Sequence, residues 1–457
     1  MHYTKFALAA LTAAVLAGCG GSSGGDQTLK VKYTAQVSFG DSLSDVGSYA
    51  VGTVAALKGG KFTINGDNTA INPELTGKNW TEHLAAQFGL PAPCAAETGL
   101  EGNAAQGFSV ARVKHTGCYG YAMGGSRVTN PVGPNNRLTG SALGALTVPV
   151  ATQIANHLAV SGGKFSGTEV VFVMAGGNDA LFQLGSLQAA ATAAGTAAGS
   201  ATFASTLVPL LAAGATNPST AAAAIGAAVR TASAAPGATS TTIVQAAVGT
   251  AAVQPGNSAV ASAAVYGPMV VTAQTAATAA GAKAGADYAT ANGPALVTAM
   301  GAAGSELVAL VKDQIIAKGA THVVVNNLPD VANTPSGLSK DASTRALINA
   351  MVSAFNNQIK TGLSGNDKVL IVDVFAVSND QSTNPGPYGL TNVKEPACNL
   401  TDAAKNPLGS SLVCNGSNLI AGDVSHYSYA DDVHPSPFNN LLLARYVAKD
   451  MVTRGWL

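Results

Sequence analysis

The chain has 457 residues, of which 47% are apolar, 11% charged and 5% aromatic, and its 24 Lys plus Arg balance its 24 Asp plus Glu. That length is enough to bury a large core and to leave room for a second unit or a long insertion. The low, balanced charge offers no basic patch of the kind nucleic acids demand, and it suits a neutral or apolar substrate better.

At the N-terminus a basic Lys5 precedes an apolar run from Phe6 to Leu16. The run is too short to span a bilayer stably and has the shape of a signal peptide. The residues that close it, Leu16-Ala17-Gly18-Cys19, resemble a bacterial lipobox. That resemblance implies removal of residues 1–18 and lipidation of Cys19, which would hold the protein at a membrane surface; an ordinary secretory signal is the alternative. Gly20 after Cys19, in place of an acidic residue, points to the outer membrane or cell surface of a Gram-negative bacterium. Gly20-Gly21-Ser22-Ser23-Gly24-Gly25 reads as a flexible tether within residues 19–34.

An apolar strand is expected over Ala35–Phe39, and it runs into Gly40-Asp41-Ser42-Leu43-Ser44-Asp45, a serine set in a tight turn. A serine hydroxyl attacks poorly without a base to remove its proton and a third group to orient that base, so Ser42 predicts partners elsewhere. Asp45 reads as a cap of the same loop. A helix is expected over Trp80–Phe88, with Asn79 as N-cap and apolar Trp80, Leu84 and Phe88 at four-residue spacing. Tyr121-Ala122-Met123-Gly124-Gly125-Ser126 then offers a backbone N–H that no side chain shields.

A helix over Val150–Val160 and a strand over Glu169–Met174 lead to Gly176-Gly177-Asn178-Asp179, an amide donor at a strand end. Both glycine-rich segments suit stabilisation of a developing oxyanion. From Leu184 to Gly304 the composition turns to Ala, Gly, Thr and Ser with few charges. Alanine is the best helix former and the segment lacks the charge of disordered chains, so packed Ala-rich helices are expected. Such an insertion would be a lid, would line an apolar acyl pocket with Leu207, Leu210, Leu211 and Met269, or would be a spacer remote from the substrate.

Beyond it, helices over Glu306–Ala317, Thr344–Ile359 and Phe438–Val452 alternate with strands over Thr321–Val325 and Lys368–Val374. Strands alternating with helices imply an α/β fold with a parallel sheet covered on both faces and a site outside the carboxyl ends of the strands. Near the C-terminus Asp431 stands three residues before His434, a spacing that lets a carboxylate return to one imidazole nitrogen and aim the other at a nucleophile. Asp423 and His426 repeat the spacing as a decoy. Asp431, Asp432 and His434 read as metal ligands would lack the His or Cys cluster that completes a site. The remaining histidines, His83, His115, His157 and His322, read as structural or surface residues.

Taken in order, the four blocks around Ser42, Gly125, Asn178 and His434 resemble the GDSL esterase/lipase family, also called SGNH hydrolases. The resemblance runs from about Val37 to the C-terminus, interrupted by the insertion. It implies a flavodoxin-like three-layer α/β/α fold, with residues 35–183 and 305–457 forming the catalytic domain around the insertion at 184–304. It makes Ser42 the nucleophile and first oxyanion donor, Gly125 and Asn178 the other donors, His434 the base and Asp431 its orienter. Val323 to Pro335 resembles the fourth block of the branch often fused to an autotransporter barrel; the chain ends at Leu457 and no barrel is expected. Gly120 stands where the second block often begins with asparagine, and Gly124 adjoins Gly125.

The family implies hydrolysis of a carboxylic ester or lipid through an acyl-enzyme, with no metal or cofactor. A polysaccharide deacetylase would want an open polar groove with more aromatic stacking residues, and a non-catalytic surface-binding lipoprotein would be favoured had Ser42, Asp431 or His434 been lost. Besides Cys19, Cys94, Cys118, Cys398 and Cys414 make an even set, which in an exported protein suggests two disulfides. Of three pairings, Cys94 with Cys118 and Cys398 with Cys414 are preferred, since each closes a Gly/Pro/Asn-rich loop beside a catalytic block.

Overall fold

Four buried strands, β1 (Gln36–Gly40), β4 (Val170–Met174), β5 (His322–Asn326) and β6 (Val369–Val372), pair in that order, every pair parallel. The computed structural model that gives this arrangement describes residues 30–457. The expected signal segment, the lipobox and Cys19 lie outside the described residues. On the free side of β1, Tyr119 to Ala122 runs alongside: Ser38 N donates to Tyr119 O, and the Tyr121 and Ala122 amides donate to Ser38 O. The second glycine block is thereby laid against the strand that ends in Ser42.

The alternation of the strands divides the core. Val37, Phe39, Val171, Val173, Val323 and Val325 face one layer of helices, while Val170, Phe172, Met174 and Val324 face the other. The second layer is α1 (Trp80–Gln87) and α9 (Pro437–Arg454), with Trp80 and Met451 wholly buried between them and the sheet. Asn79 caps α1 as expected, in a capping box with Glu82. The first layer is α2 (Val150–Val160), the C-terminal part of α6 (Ala263–Ala309) and α7 (Ala342–Leu363). Two small sheets decorate this frame: the antiparallel pair β2 (Glu97–Glu101) and β3 (Ser109–Lys114), and the parallel pair β7 (Asn392–Pro396) and β8 (Tyr427–Tyr429). The helix α8 (Val374–Thr383) follows β6 directly.

The Ala-rich segment is helical. It consists of α3 (Gly177–Ala212), α4 (Pro218–Ala234), α5 (Ser240–Ala252) and the first part of α6. The compositional boundaries at Leu184 and Gly304 fall inside α3 and α6, so the insertion grows out of two core helices instead of being joined by loops. Glu306, expected to open a separate helix, likewise lies within α6, whose axis continues as a π-helical turn, Leu310–Ile316. The two helices are 36 and 47 residues long, which at 1.5 Å per residue is about 54 and 70 Å.

They pack antiparallel through glycine. A Cβ at Gly195 would stand 2.7 Å from Gly281 O and one at Gly281 would stand 2.9 Å from Gly195 O, so only hydrogen side chains let these backbones approach so closely. By length and composition Ala263–Ile316 would be able to cross a membrane, yet its C-terminal half buries Met300, Leu307 and Val308 in the main core. At the distal end Leu207 and Leu211 pack with Ile225, Val248 and Ala273 as a separate small core, with Met269 against it. Of the residues named for the acyl-pocket alternative, Leu207 and Leu211 are thus buried in this core with Met269 against it, where they hold the helices of the insertion together.

Candidate active site

The loop that carries Ser42 exists because β1 ends in a glycine. Gly40 has φ 147°, and a Cβ there would stand 1.9 Å from Met174 O on β4, so the chain leaves the sheet at a position no other residue accepts. Asp41 is next, its carboxylate accepting the Leu43 N–H and capping a short turn, Ser42–Ser44, that carries the hydroxyl outward. The fully buried Gln153 on α2 fixes the same spot. Its Oε1 accepts Gly40 N–H at 2.8 Å, and its Nε2 donates to Gly40 O, Val148 O and Ser126 Oγ.

Ser42 and His434 are 392 residues apart in the chain, and Ser42 Oγ lies 2.8 Å from His434 Nε2. The other imidazole nitrogen, Nδ1, is 2.8 Å from each oxygen of Asp431. The Asp-x-x-His spacing works through a turn: Asp431 Oδ1 also accepts the backbone N–H groups of Val433 and His434, and Ser411 N–H binds Oδ2 at 2.8 Å. The Phe62 ring packs on the imidazole at 4.8 Å between centroids, and neighbouring Thr63 ties Pro435 O.

Burial alone would raise the Asp431 carboxyl, but the His434 charge and its hydrogen bonds outweigh that and hold it below the usual carboxylate range. Burial disfavours the His434 imidazolium, yet Asp431 by charge and hydrogen bond, with Asp41 and Asp432 by charge, raises its pKa above 6.5. Asp41 itself is pushed up to about 7, chiefly by burial, against the Leu43 N–H and the His434 charge.

The two glycine-rich blocks join at this point. Asn178 is the second residue of α3, and its Nδ2 donates to Ser126 O at 2.9 Å, leaving one amide proton free. Asp179 beside it accepts Val128 N–H and pairs with Arg127 at 2.9 Å, both side chains largely buried. Gly124 N–H is engaged, donating to Asp45. Among the described residues the Ser42 and Gly125 N–H groups donate to no protein atom. Gly125 has φ 78°, and a Cβ on it would press into Pro134 O at 2.6 Å, so a side chain cannot replace it.

The structure therefore brings together Ser42, Asp431 and His434, and ties the Gly125 and Asn178 blocks to each other through Ser126. The decoy pair is elsewhere: Asp423 caps Ser425, while His426 meets Glu74 and stacks on Phe438. Both expected disulfides, Cys94–Cys118 and Cys398–Cys414, are formed. Among the described residues no cluster of three or more His, Cys, Asp and Glu side chains is placed to hold a metal ion. Sequence reasoning missed Phe62, Gln153 and the Arg127–Asp179 pair. Gln153 alone carried a signal, as a polar residue on the apolar face of a helix.

No family model matches the chain, and no curated protein matches it as a relative.

Proposed function

We propose that the protein is a serine carboxylic ester hydrolase of the GDSL/SGNH kind. The observation that carries this reading is the continuous relay Ser42 Oγ, His434 Nε2, His434 Nδ1, Asp431, with 2.8 Å at each contact. The parallel sheet between two helix layers, with Ser42 and Asn178 just beyond the carboxyl ends of adjacent strands, supports the same reading.

In the proposed reaction His434 takes the Ser42 proton as Oγ attacks the ester carbonyl. The tetrahedral oxyanion is held by the free N–H groups of Ser42 and Gly125 and by the Asn178 amide. His434 then gives its proton to the departing alcohol oxygen, leaving Ser42 acylated. Water repeats the sequence, with His434 as base, and releases the acid. Asp431 keeps Nδ1 protonated and stabilises the imidazolium without itself taking the proton.

The two disulfides support an oxidising, exported location. Anchoring through lipidated Cys19 at the outer membrane belongs to the proposal. Hydrolysis of p-nitrophenyl acetate by the domain without residues 1–19, abolished in Ser42→Ala, is the test; equal turnover by wild type and variant would refute the assignment.

A further inference from the structure

The base of the helical insertion encloses space that the relay does not use. A groove of about 1120 Å³ runs between α3, α6 and the segment leading into α7. Its walls include Leu181, Leu184, Val297, Val331, Leu347 and Ile348, and its only charged lining residues, Lys340 and Asp341, lie on an exposed turn. Along α3 the lining extends from Leu181 to Thr196, about 22 Å at 1.5 Å per residue. That is the length of an extended palmitoyl chain.

Two features connect the groove to the relay. Leu181 stands three residues after Asn178 on the same helix, which puts it on the same face about one turn, roughly 5 Å, away. On the opposite wall Ser336 N–H donates to Asp432 O at 2.9 Å, fixing that wall to the loop that carries Asp431 and His434. Its sides are moreover unusually free of charge: Arg230, Lys283 and Asp287 are the only charged residues between Asp179 and Glu306. A cleft as long as a fatty acyl chain, charged only at an exposed turn and starting one turn from an oxyanion donor, matches one ligand chemistry.

We propose that this groove binds the acyl chain of the substrate, so that the enzyme's substrates are long-chain acyl esters. The inference rests on the hydrolase reading above. An ester whose carbonyl sits at Ser42 sends its alkyl chain past Leu181 and up the cleft. Each methylene buried there adds about fourfold to kcat/KM, since burial of a CH₂ is worth about 0.8 kcal/mol.

Gly185 provides the test, because it lines the groove on α3 and a Cβ placed on it meets nothing within 4 Å. Gly185→Phe obstructs the cleft without displacing backbone. Ser186→Phe puts the same bulk on the adjacent exposed position, which is not part of the lining. Esters from acetyl to palmitoyl are compared in all three proteins. The palmitoyl-to-acetyl ratio of kcat/KM is expected to fall about tenfold or more in Gly185→Phe and to hold in Ser186→Phe. A ratio that Gly185→Phe does not lower, or one that never rises with chain length in the wild type, overturns the groove assignment. Acetyl turnover reads the hydrolase assignment separately. Should it be absent, fluorescence of cis-parinaric acid bound to Ser42→Ala still decides the matter: binding lost on adding Gly185→Phe supports the groove, and no binding overturns it.

Discussion

The Asp45 carboxylate accepts the Gly124 N–H at 2.9 Å across 79 residues of sequence. Because the Gly124 amide is thus occupied, Gly125 is the residue of the pair whose N–H is left to face a ligand. Asp45 also accepts Gly47 N–H, Ser48 N–H and the Ser48 hydroxyl, so it joins the loop after Ser42 to the second glycine block.

Asp45→Asn should therefore loosen the oxyanion site from a distance. One of its oxygens becomes an NH₂ that faces donors, and a buried N–H left without an acceptor costs about 1–3 kcal/mol. The expected result is a kcat lowered about 10- to 100-fold with KM changed less, consistent with weaker hold on the transition state alone. Steady-state kinetics and thermal melting on one preparation check it, since a merely structural role would lower stability while leaving kcat per folded molecule intact.

The pH dependence follows from the charges around the imidazole. In the proposed reaction His434 must be neutral to accept the Ser42 proton, and its pKa is raised above 6.5, so activity is expected to be lost as pH falls through a midpoint above that value. Asp41 contributes to the rise by charge. Asp41→Asn keeps an acceptor for Leu43 N–H and is expected to move this acid limb to lower pH.

The same substitution has a stability signature of opposite use. The Asp41 pKa is raised from 3.8 to about 7, so between those values the folded state holds a proton that the unfolded chain releases. The stability Asp41 contributes is complete below pH 3.8 and is lost as pH rises to about 7. At pH 8 Asp41→Asn should be the more stable protein, by on the order of 2 kcal/mol, and denaturant melts at pH 4 and 8 measure it.

Gln153→Leu should loosen the Ser42 loop without touching an atom of the proposed relay. It orphans Gly40 N–H and removes donors to Gly40, Val148 and Ser126; about 1–3 kcal/mol of stability should go with each buried group left unpaired. Gln153→Glu, which restores the acceptor for Gly40 N–H, is expected to recover part of the loss.

How far the sequence exposed this site depends on how local each cause is. The four strands of the main sheet, the Asn79 cap, the nearest-neighbour disulfides and the Asp431–His434 turn are set by residues close in the chain, and each was legible. Phe62 on His434, Gln153 on Gly40 and Asp45 on Gly124 are joined only by tertiary packing: Gln153 was marked only as a polar residue on an apolar helix face, Asp45 only as a cap of its own loop, and Phe62 not at all. The strands of the two small sheets, β2, β3, β7 and β8, were missed; they are short, and β3 is mostly exposed and lacks a clean apolar alternation. The insertion is helical, as its alanines imply, and α3 and α6 run on through the prolines at 209, 268 and 294. The acyl-pocket alternative for Leu207 and Leu211 stayed open because an apolar residue in a helix gives no sign of whether it faces a ligand or another helix.

The Cys398–Cys414 bridge brackets Ser411, whose N–H holds Asp431. Replacing both cysteines by serine should remove about 3 kcal/mol of stability by loop entropy. It should also lower kcat by freeing the Ser411 segment, an effect measured below the melting transition, where the wild type and the double variant are both folded.

The central claim is that His434, oriented by Asp431, activates Ser42. Labelling with a fluorophosphonate ester, followed by peptide mass spectrometry, reads this directly. One adduct per molecule on Ser42, formed orders of magnitude more slowly in His434→Ala and about 10⁴-fold more slowly in Asp431→Asn, is the predicted result. A folded protein that takes no label at Ser42, or labels it at the same rate in all three forms, would contradict the account.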